Sequence, residues 1–477
     1  MKNGENSILF FPHRCVDSDT GYVTACDPRT EADFIVNMEP VRVWAGTILR
    51  WRNTEAAGRI FFYGTDIRES WVHTFCYEPE SNWAVYDPEK TETEWSSRDR
   101  IFDRDGYIRI VIRVPADDAG KENKDEDPDP GHILSACTEY AKSIFALEHP
   151  AETLSEEACI RPFFRSEAGR VLERLSAVCE PEDLVFFLLA DTHYAVNGNW
   201  EDTAKNVKYM ARLCHPDFAV HLGDLTDGLL PGALTKQYSG RILDALHEAA
   251  GPVFCCLGNH DSNYAGNNPE RFTKEESAAW YLQYAEGTSG VHIPYNSENK
   301  KEDFYSVDDI RRQLRMIFLA SFDCERDTEN DRYGYSEEES RWLKEVLQST
   351  PEGFGVLVFS HVPLLPEMHV WSDGIRGSEN ILQLLEEFQQ KRQALLAFFH
   401  GHNHCDQIER KYSFPIVSIG CSKLESFPEK KPAGAVCYHR ERGTVTQDLW
   451  DVVRVSRNHG TIDLIRFGAG EDRRVQT

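Results

Sequence analysis

The chain has no C-x-x-C pair, no apolar run approaching the length of a membrane span, and a large shortfall of basic side chains. Each absence excludes something. Without paired-cysteine motifs a zinc ribbon or a thioredoxin-like redox site has no support, and thirteen cysteines, an odd number, cannot all pair within the chain. Reduced thiols are expected. Met1 to His13 holds only Ile8, Leu9, Phe10 and Phe11 as an apolar run, short of the h-region of a secretory signal, so the expected location is cytoplasmic. The 52 basic side chains stand against 79 acidic ones, a formal charge of −27. A surface of that sign repels phosphate backbones over most of its area, which disfavours a broad nucleic-acid groove or an anionic-membrane foot. Any phosphate substrate must then be attracted locally, for instance by metal ions.

What is present is the composition of a folded globular protein: 477 residues, 41% hydrophobic and 27% charged, with length for about three domains as a soft prior. Between Ser7 and Val114 lie short runs rich in β-branched and aromatic residues, Val41 to Trp44, Ile48 to Trp51, Arg59 to Tyr63 and Tyr107 to Val114. In the last, Ile108, Ile110, Ile112 and Val114 alternate with Arg109, Val111 and Arg113, the period of a strand with one face buried. Such strands separated by turns predict an N-terminal all-β sandwich domain over residues 1–116. Its His13 and His73 have no partner motif, so the unit is expected to contribute no metal ligand. Trp44, Trp51, Trp71 and Trp83 are expected mostly in its core, with a carbohydrate or protein partner as the alternative use. Residues 117–131 (DDAGKENKDEDPDPG) read as an acidic linker or loop, and 132–477 as the remaining domain with a connecting helical segment near Ser166 to Val178.

There the texture changes. Leu184 to Ala190 (LVFFLLA) is a continuous apolar run, as expected of a strand covered on both faces, and similar runs recur at Phe218 to Leu222, Val253 to Leu257, Met316 to Ala320, Gly355 to Phe359, Leu395 to Phe399 and Pro415 to Ile419. A helix is predicted over Glu337 to Gln348, with Ser336 and Glu339 at capping-box spacing. Trp450 to Ser456 and Thr461 to Phe467, joined by Asn458-His459-Gly460, predict a hairpin. The class is α/β.

Metal-ligating side chains come directly after the ends of these strands. Asp191-Thr192-His193 follows the first, Gly223-Asp224 the second, Gly258-Asn259-His260-Asp261 the third, His361 the Gly355 to Phe359 strand, and Gly401-His402-Asn403-His404 the Leu395 to Phe399 strand. Loops at the carboxyl ends of strands in an open α/β sheet converge on one crevice. Carboxylate, imidazole and amide oxygen suit divalent ions, and D-x-H and H-x-H each project two ligands from one tight loop. Any one piece alone reads as an ordinary polar turn. Five in order do not.

DTH, GDLTD, GNHD, SH and GHNH in that order resemble the signature of the calcineurin-like metallophosphoesterase superfamily, over about Leu184 to Ile419. The resemblance implies an α/β (α+β sandwich) core of two packed mixed β-sheets flanked by helices, with a dinuclear centre of divalent or trivalent Mn, Fe or Zn. It implies Asp191, His193 and His404 at one metal, Asn259, His361 and His402 at the other, and Asp224 bridging them. His260 is implied as an uncoordinated residue facing the substrate, with Asp227 orienting it. GDLTD lacks the tyrosine of purple acid phosphatases and the GDxVDRG run of Ser/Thr protein phosphatases; the motifs are closest to those of bacterial cyclic-nucleotide-phosphodiesterase-type members. The N-terminal sandwich and the closing RFGAGED also look like those of multidomain bacterial members.

The expected function is therefore hydrolysis of a small phosphodiester or phosphomonoester by in-line attack of a metal-bridging hydroxide, the two ions about 3.5–4 Å apart, with His260 and Asp227 in proton transfer. The alternative is a catalytically silent binding or scaffold protein recognising partners through its N-terminal sandwich; the complete ligand set speaks against it. Cys255-Cys256 reads as buried thiols, His221 and His400 as structural histidines, and Tyr194, Asn197 and Tyr264 as candidates to line a substrate pocket. Ser262 to Asp303, long for a connector, reads as a lid or specificity insertion.

Overall fold

The computed structural model describes residues 8, 10–12, 14–16, 23–25, 33–37, 41–52, 58–63, 81–86, 99–114 and 130–148, and 160–477 apart from 195–197, 266–267, 297, 299, 327–328, 372–373 and 426. The chain divides into two compact units, Met1–Ala158 and Cys159–Thr477.

In the first unit the Gly106–Val114 strand is central, pairing antiparallel with Asp33–Asn37, Val41–Val43 and Gly58–Tyr63. Ile108, Ile110, Ile112 and Val114 join Phe10, Ile35, Ile60 and Phe62 in one core; on the other face only Arg113 of the three alternating residues is exposed, Arg109 and Val111 being buried as well, so the strand is covered on more than the one face its period indicates. A smaller antiparallel sheet is formed by Phe145–Glu148, Ile48–Trp51 and Asp99–Ile101. Its strand Phe145–Glu148 comes after a helix, Pro130–Ile144, and Ala141, Ile144 and Phe145 enter the same core. The unit is thus strand-rich with one helix among its described residues. Residues 132–148 fold with it, whereas the sequence pattern grouped them with the ligand-bearing remainder of the chain. Pairing of Phe145 with Trp51 is a long-range event that local periodicity does not encode. Trp51 is a core side chain, stacked on Phe145 at 6.4 Å, and Trp44 is half-buried, so a carbohydrate or protein partner gains no support here. His13, Trp71, His73, the Trp83 side chain and 117–129 of the acidic segment lie outside the described residues.

Among the described residues the second unit holds two sheets. One is ordered Val253–Cys255, Phe218–His221, Leu184–Leu189, Leu449–Ser456, Thr461–Gly468 and Arg473–Gln476, with its first three strands parallel and the rest antiparallel. The other is ordered Val291–His292, Tyr305–Asp309, Leu314–Phe318, Gly355–Ser360, Leu395–His400, Ile416–Ser418 and Gln407–Glu409, with four consecutive parallel strands from Leu314–Phe318 to Ile416–Ser418. The sheets pack face to face, because Leu184, Phe186 and Leu188 of one share a core with Phe318, Leu357, Phe359 and Phe399 of the other. The alternate residues Ile317, Val356, Val358 and Phe398 turn to the opposite face, against Leu343 and Leu347 of the helix Glu337–Ser349 and Ile381 and Leu385 of the helix Ser378–Arg392. This double coverage explains why the strands read as continuous apolar runs. Ser336 caps its helix by accepting from the Glu339 amide at 3.0 Å, but the Glu339 carboxylate accepts from the Ala320 amide at 2.7 Å instead of closing the box. A closed capping box forms at Thr273 and Glu276.

Ser262 to Asp303, read as a lid or specificity insertion, contributes to the core. It contains the helix Lys274–Leu282 and the edge strand Val291–His292, and Ala278, Leu282 and Ala285 belong to the core between the sheets. Among the described residues no helix is long and apolar enough to cross a membrane.

Candidate metal centre

The parallel strands of each sheet end on a common edge, and the loops leaving them are stitched together by backbone hydrogen bonds. Asp191 and His193 donate to the carbonyls of Gly223 and Asp224 at 3.0 Å, Gly401 to that of His361 at 3.1 Å, and Ser422 and Lys423 to those of Ala190 and Asp191 at 2.8 and 3.2 Å. The Asp261 carboxylate, with no role in the sequence reading, accepts from the amides of Asp224, Leu225 and Gly258 at 2.8, 2.9 and 2.8 Å and so fixes the two Gly-containing turns to each other. Gly258 has to be glycine: a Cβ there would lie 2.1 Å from Asp224 Oδ1.

Strain marks the loops. Asp191, His193, Asp224, His402 and His404 all have positive φ, at 53°, 39°, 56°, 68° and 54°. A non-glycine residue in that region costs on the order of 1–3 kcal/mol and persists where the surroundings over-determine it. The two D-x-H and H-x-H loops thereby turn alternate side chains to one spot.

Asp191, His193 and His404 form one convergent set, their ligand atoms all within 4.8 Å of one another and the residues buried. His193 Nε2 and His404 Nε2 face each other at 3.2 Å, and Asp191 Oδ1 is 3.5 Å from the latter. The far nitrogens of both rings meet carboxylates: His193 Nδ1 lies 3.1 Å from Asp227 Oδ1 and His404 Nδ1 lies 2.5 Å from Glu425 Oε1. Lys423 Nζ stands between the two acids, 3.7 Å from Asp227 and 3.2 Å from Glu425. Burial opposes the charge of Glu425, yet Lys423 and His404 hold its carboxyl well below the usual range.

Asp224, His361 and His402 form the second set. His361 Nδ1 donates to the Leu222 carbonyl at 2.8 Å. Its Nε2 lies 3.2 Å from Asp224 Oδ2, 3.0 Å from Asn259 Oδ1 and 3.2 Å from His402 Nδ1. Asp224 Oδ2 is also 3.6 Å from His193 Nε2, so this one oxygen stands between the two sets. Burial disfavours charge on His361, but the Asp224 carboxylate beside it lifts its pKa to about 9.

These donors fit a pair of cations. On the first side both Nδ1 atoms stand beside carboxylates, which favour the proton on Nδ1 and leave two Nε2 lone pairs pointed at each other and at Asp191. On the second, a single proton on His361 Nε2 can serve only one of three surrounding acceptors. A cation among each group serves all of them, and nitrogen with oxygen is the donor mixture that Mn, Fe or Zn accepts. His404, Cys421 and Glu425 form a further close group behind the first set.

Two assignments shift relative to the sequence reading. Asp227 reaches His260 through its backbone carbonyl, which accepts from His260 Nδ1 at 2.6 Å, while its carboxylate faces His193. Spacing locates a residue but not which of its oxygens meets which ring. His260 Nε2 is 3.9 Å from Asp224 Oδ2, so His260 also groups with His193 and Asp224. Three residues escaped the sequence reading: Lys423, Glu425 and His369, whose Nε2 is 2.8 Å from His402 Nε2. The signal for the first two was the strand Ile416–Ser418, a parallel neighbour whose C-terminal loop shares the same edge.

The remaining candidates pack. His221, driven down to about 3 by burial, contacts the Thr192 hydroxyl at 2.8 Å, and His400, lowered by burial to about 4, donates to the Gly401 carbonyl at 3.0 Å. Cys255 and Cys256 are buried. Tyr194 is buried against Tyr238 at 4.6 Å, Tyr264 lies 6.0 Å from Phe322, and Asn197 is outside the described residues.

The chain resembles a dimetal phosphatase from Danio rerio at 18% identity over 61% of this chain and 98% of that one, with a TM-score of 0.42. It resembles a putative 5′-nucleotidase from Staphylococcus aureus at 13% identity over 62% and 54% of the two chains, TM-score 0.33, and a phosphopantetheinyl hydrolase from Mycobacterium tuberculosis at 12% over 51% and 91%, TM-score 0.32. Comparison with curated proteins finds no match. The profile of the family described as calcineurin-like phosphoesterase matches residues 184–406, and it is this stretch, the one that carries all five ligand loops, that is similar to the calcineurin-like phosphoesterases.

Proposed function

We propose that the protein is a dinuclear metal-dependent hydrolase of small phosphate esters, diesters or monoesters. The observation that carries this reading is the convergence of buried acceptors on two neighbouring spots, with Asp224 Oδ2 shared between them. Asp191, His193 and His404 would hold one ion, Asn259, His361 and His402 the other, and Asp224 both. Ions of the Mn, Fe or Zn type bound there supply Lewis acidity toward phosphoryl oxygens and lower the pKa of water at neutral pH. No ligand position is missing, which weighs against a silent scaffold.

The chain itself supplies orientation and a proton. Because a carbonyl can only accept, His260 Nδ1 carries a hydrogen and the ring nitrogen turned toward Asp224 is Nε2. To assist a leaving alkoxide, Nε2 must bring a proton. Burial lowers the pKa of His260 against the opposing pull of the Asp224 and Asp227 carboxylates, so an anionic substrate beside it would add to what favours the imidazolium. The Asp227 carboxylate, whose charge also favours the imidazolium of His260, is positioned on the ligand His193. Glu425 is positioned on His404.

The test is metal analysis joined to a hydrolysis panel of small diesters and monoesters. Two ions per chain after reconstitution with Mn, Fe or Zn, and turnover of at least one ester class, are expected. No stoichiometric metal would overturn the reading; two ions with no turnover on any ester would favour the scaffold.

A further inference from the structure

We infer that His369 is a positioning residue that fixes the tautomer and ring orientation of His402, so that one of the two metal positions is held through a hydrogen bond between imidazoles. The inference rests on the dinuclear reading and concerns how one half of that site is kept in shape.

His369 caps the 3-10 turn Pro366–Met368 and is buried, 8% exposed. Two contacts fasten this turn to the loop that carries His402. The Asn403 side-chain amide donates to the Met368 carbonyl at 2.5 Å, and the His369 and His402 rings meet with centroids 4.9 Å apart, Tyr333 lying 5.0 Å from the first and 5.5 Å from the second. The decisive contact is the 2.8 Å approach of His369 Nε2 to His402 Nε2. One of these nitrogens must hold the proton and the other the lone pair.

His402 settles which. Its Nδ1 is the atom inside the ligand set, 3.2 Å from His361 Nε2, and a ligating nitrogen has to present a lone pair. The proton of neutral His402 therefore sits on Nε2 and is donated to His369 Nε2. That requires His369 to carry its own proton on the other ring nitrogen, where the Gly374 backbone takes it up. The chain His402, His369, Gly374 thus has one consistent direction, and reversing it would put a proton on the ligating atom of His402. Metal-binding histidines are commonly backed by a carboxylate, a carbonyl or water; here the acceptor is itself a ring whose tautomer must be set.

The experiment uses the full-length protein, stripped with chelator and titrated with Mn(II), reading stepwise affinity by calorimetry and ion pairing by electron paramagnetic resonance. Wild type should take two ions and show the signal of a coupled pair; if it takes none, the dinuclear reading fails and not this one. His369→Phe keeps a ring against Tyr333 but cannot accept, and should weaken one of the two steps by about 10- to 100-fold, leaving the signal of a single isolated ion at stoichiometric Mn(II). His369→Gln loses the ring but offers an acceptor oxygen, and should recover most of that affinity. If His369→Phe does not fold, His369→Ala is read in its place. Native affinity at both steps in His369→Phe, or a His369→Gln variant as weak as His369→Phe, would overturn the inference.

Discussion

The two halves of the metal centre are built from similar ligands but backed differently. Behind Asp191, His193 and His404 stand two carboxylates, Asp227 and Glu425, tied by Lys423. Behind His361 and His402 stand a backbone carbonyl, that of Leu222, and a neutral imidazole, His369. A carboxylate behind an imidazole raises its basicity and strengthens its hold on a cation, whereas a neutral acceptor chiefly orients it. The first position should therefore bind its ion more tightly than the second. What the asymmetry teaches is that ligand identity alone does not rank the two positions; the atoms behind the rings do.

The severest way to break the comparison is to remove what the halves share. Asp224 Oδ2 reaches His361 and His193 at 3.2 and 3.6 Å, so Asp224→Ala should weaken both positions together, by more than the roughly 100-fold of a backing residue, and take turnover to background. Elemental analysis after dialysis checks it. Retention of both ions would mean that the halves are independent and that Asp224 bridges nothing.

His260 tests whether the chemistry can be separated from the ions. His260→Ala should keep both metals and lose about 10²- to 10⁴-fold in turnover, most on esters with poor leaving groups and least on activated aryl esters. Since the Asp227 backbone carbonyl holds His260, Asp227→Asn should spare this leaving-group dependence and show its effect in metal affinity at the first position. Loss of a metal in His260→Ala would place that ring among the ligands.

A smaller effect sharpens the ranking itself. Glu425→Gln replaces the anion behind His404 with a neutral amide of the same shape, and should weaken the tighter step about 10- to 100-fold, bringing it toward the second. Stepwise Mn(II) titration reads this directly. If the weaker step falls instead, the assignment of carboxylate backing to the tighter ion is reversed.

Most of this could be seen in the sequence, and the residues say why. A strand covered on both faces announces itself as an apolar run, and a candidate ligand loop at its carboxyl end announces itself by D-x-H or H-x-H, so the sheet cores and the seven candidate positions that converge at their edge were legible. Glu425, Lys423 and His369 were not. They act on the backs of rings, from loops whose lengths follow no period, and nothing in a charged or histidine residue on a loop tells which ring it stands behind. Asp227 was legible as a residue and misread as an atom, since its carbonyl and carboxylate serve different histidines. The stretch from Ser262 read as a lid or specificity insertion because it is long for a connector; Ala278 and Leu282 give it a core role that only the packed sheets reveal.

The smallest expected effect concerns Cys421, which groups with His404 and Glu425. If it were a ligand, the first position would be a thiolate site and the contrast between carboxylate and neutral backing would lose its meaning. The structure argues otherwise. Burial pushes the Cys421 thiol up in pKa, and its Sγ lies 3.4 Å from the Lys423 carbonyl, an acceptor for S–H. The nitrogen His404 turns toward Glu425 is Nδ1, on the opposite side of the ring from the Nε2 that faces His193, so the group surrounds the back of the ring. Cys421→Ala should leave both Mn(II) affinities within about 2-fold, well inside the 10- to 100-fold scale of a true backing residue, while lowering stability by about 1 kcal/mol for a lost buried side chain. Thermal unfolding and the same titration separate the two effects, and loss of an ion from Cys421→Ala would make sulfur part of the centre.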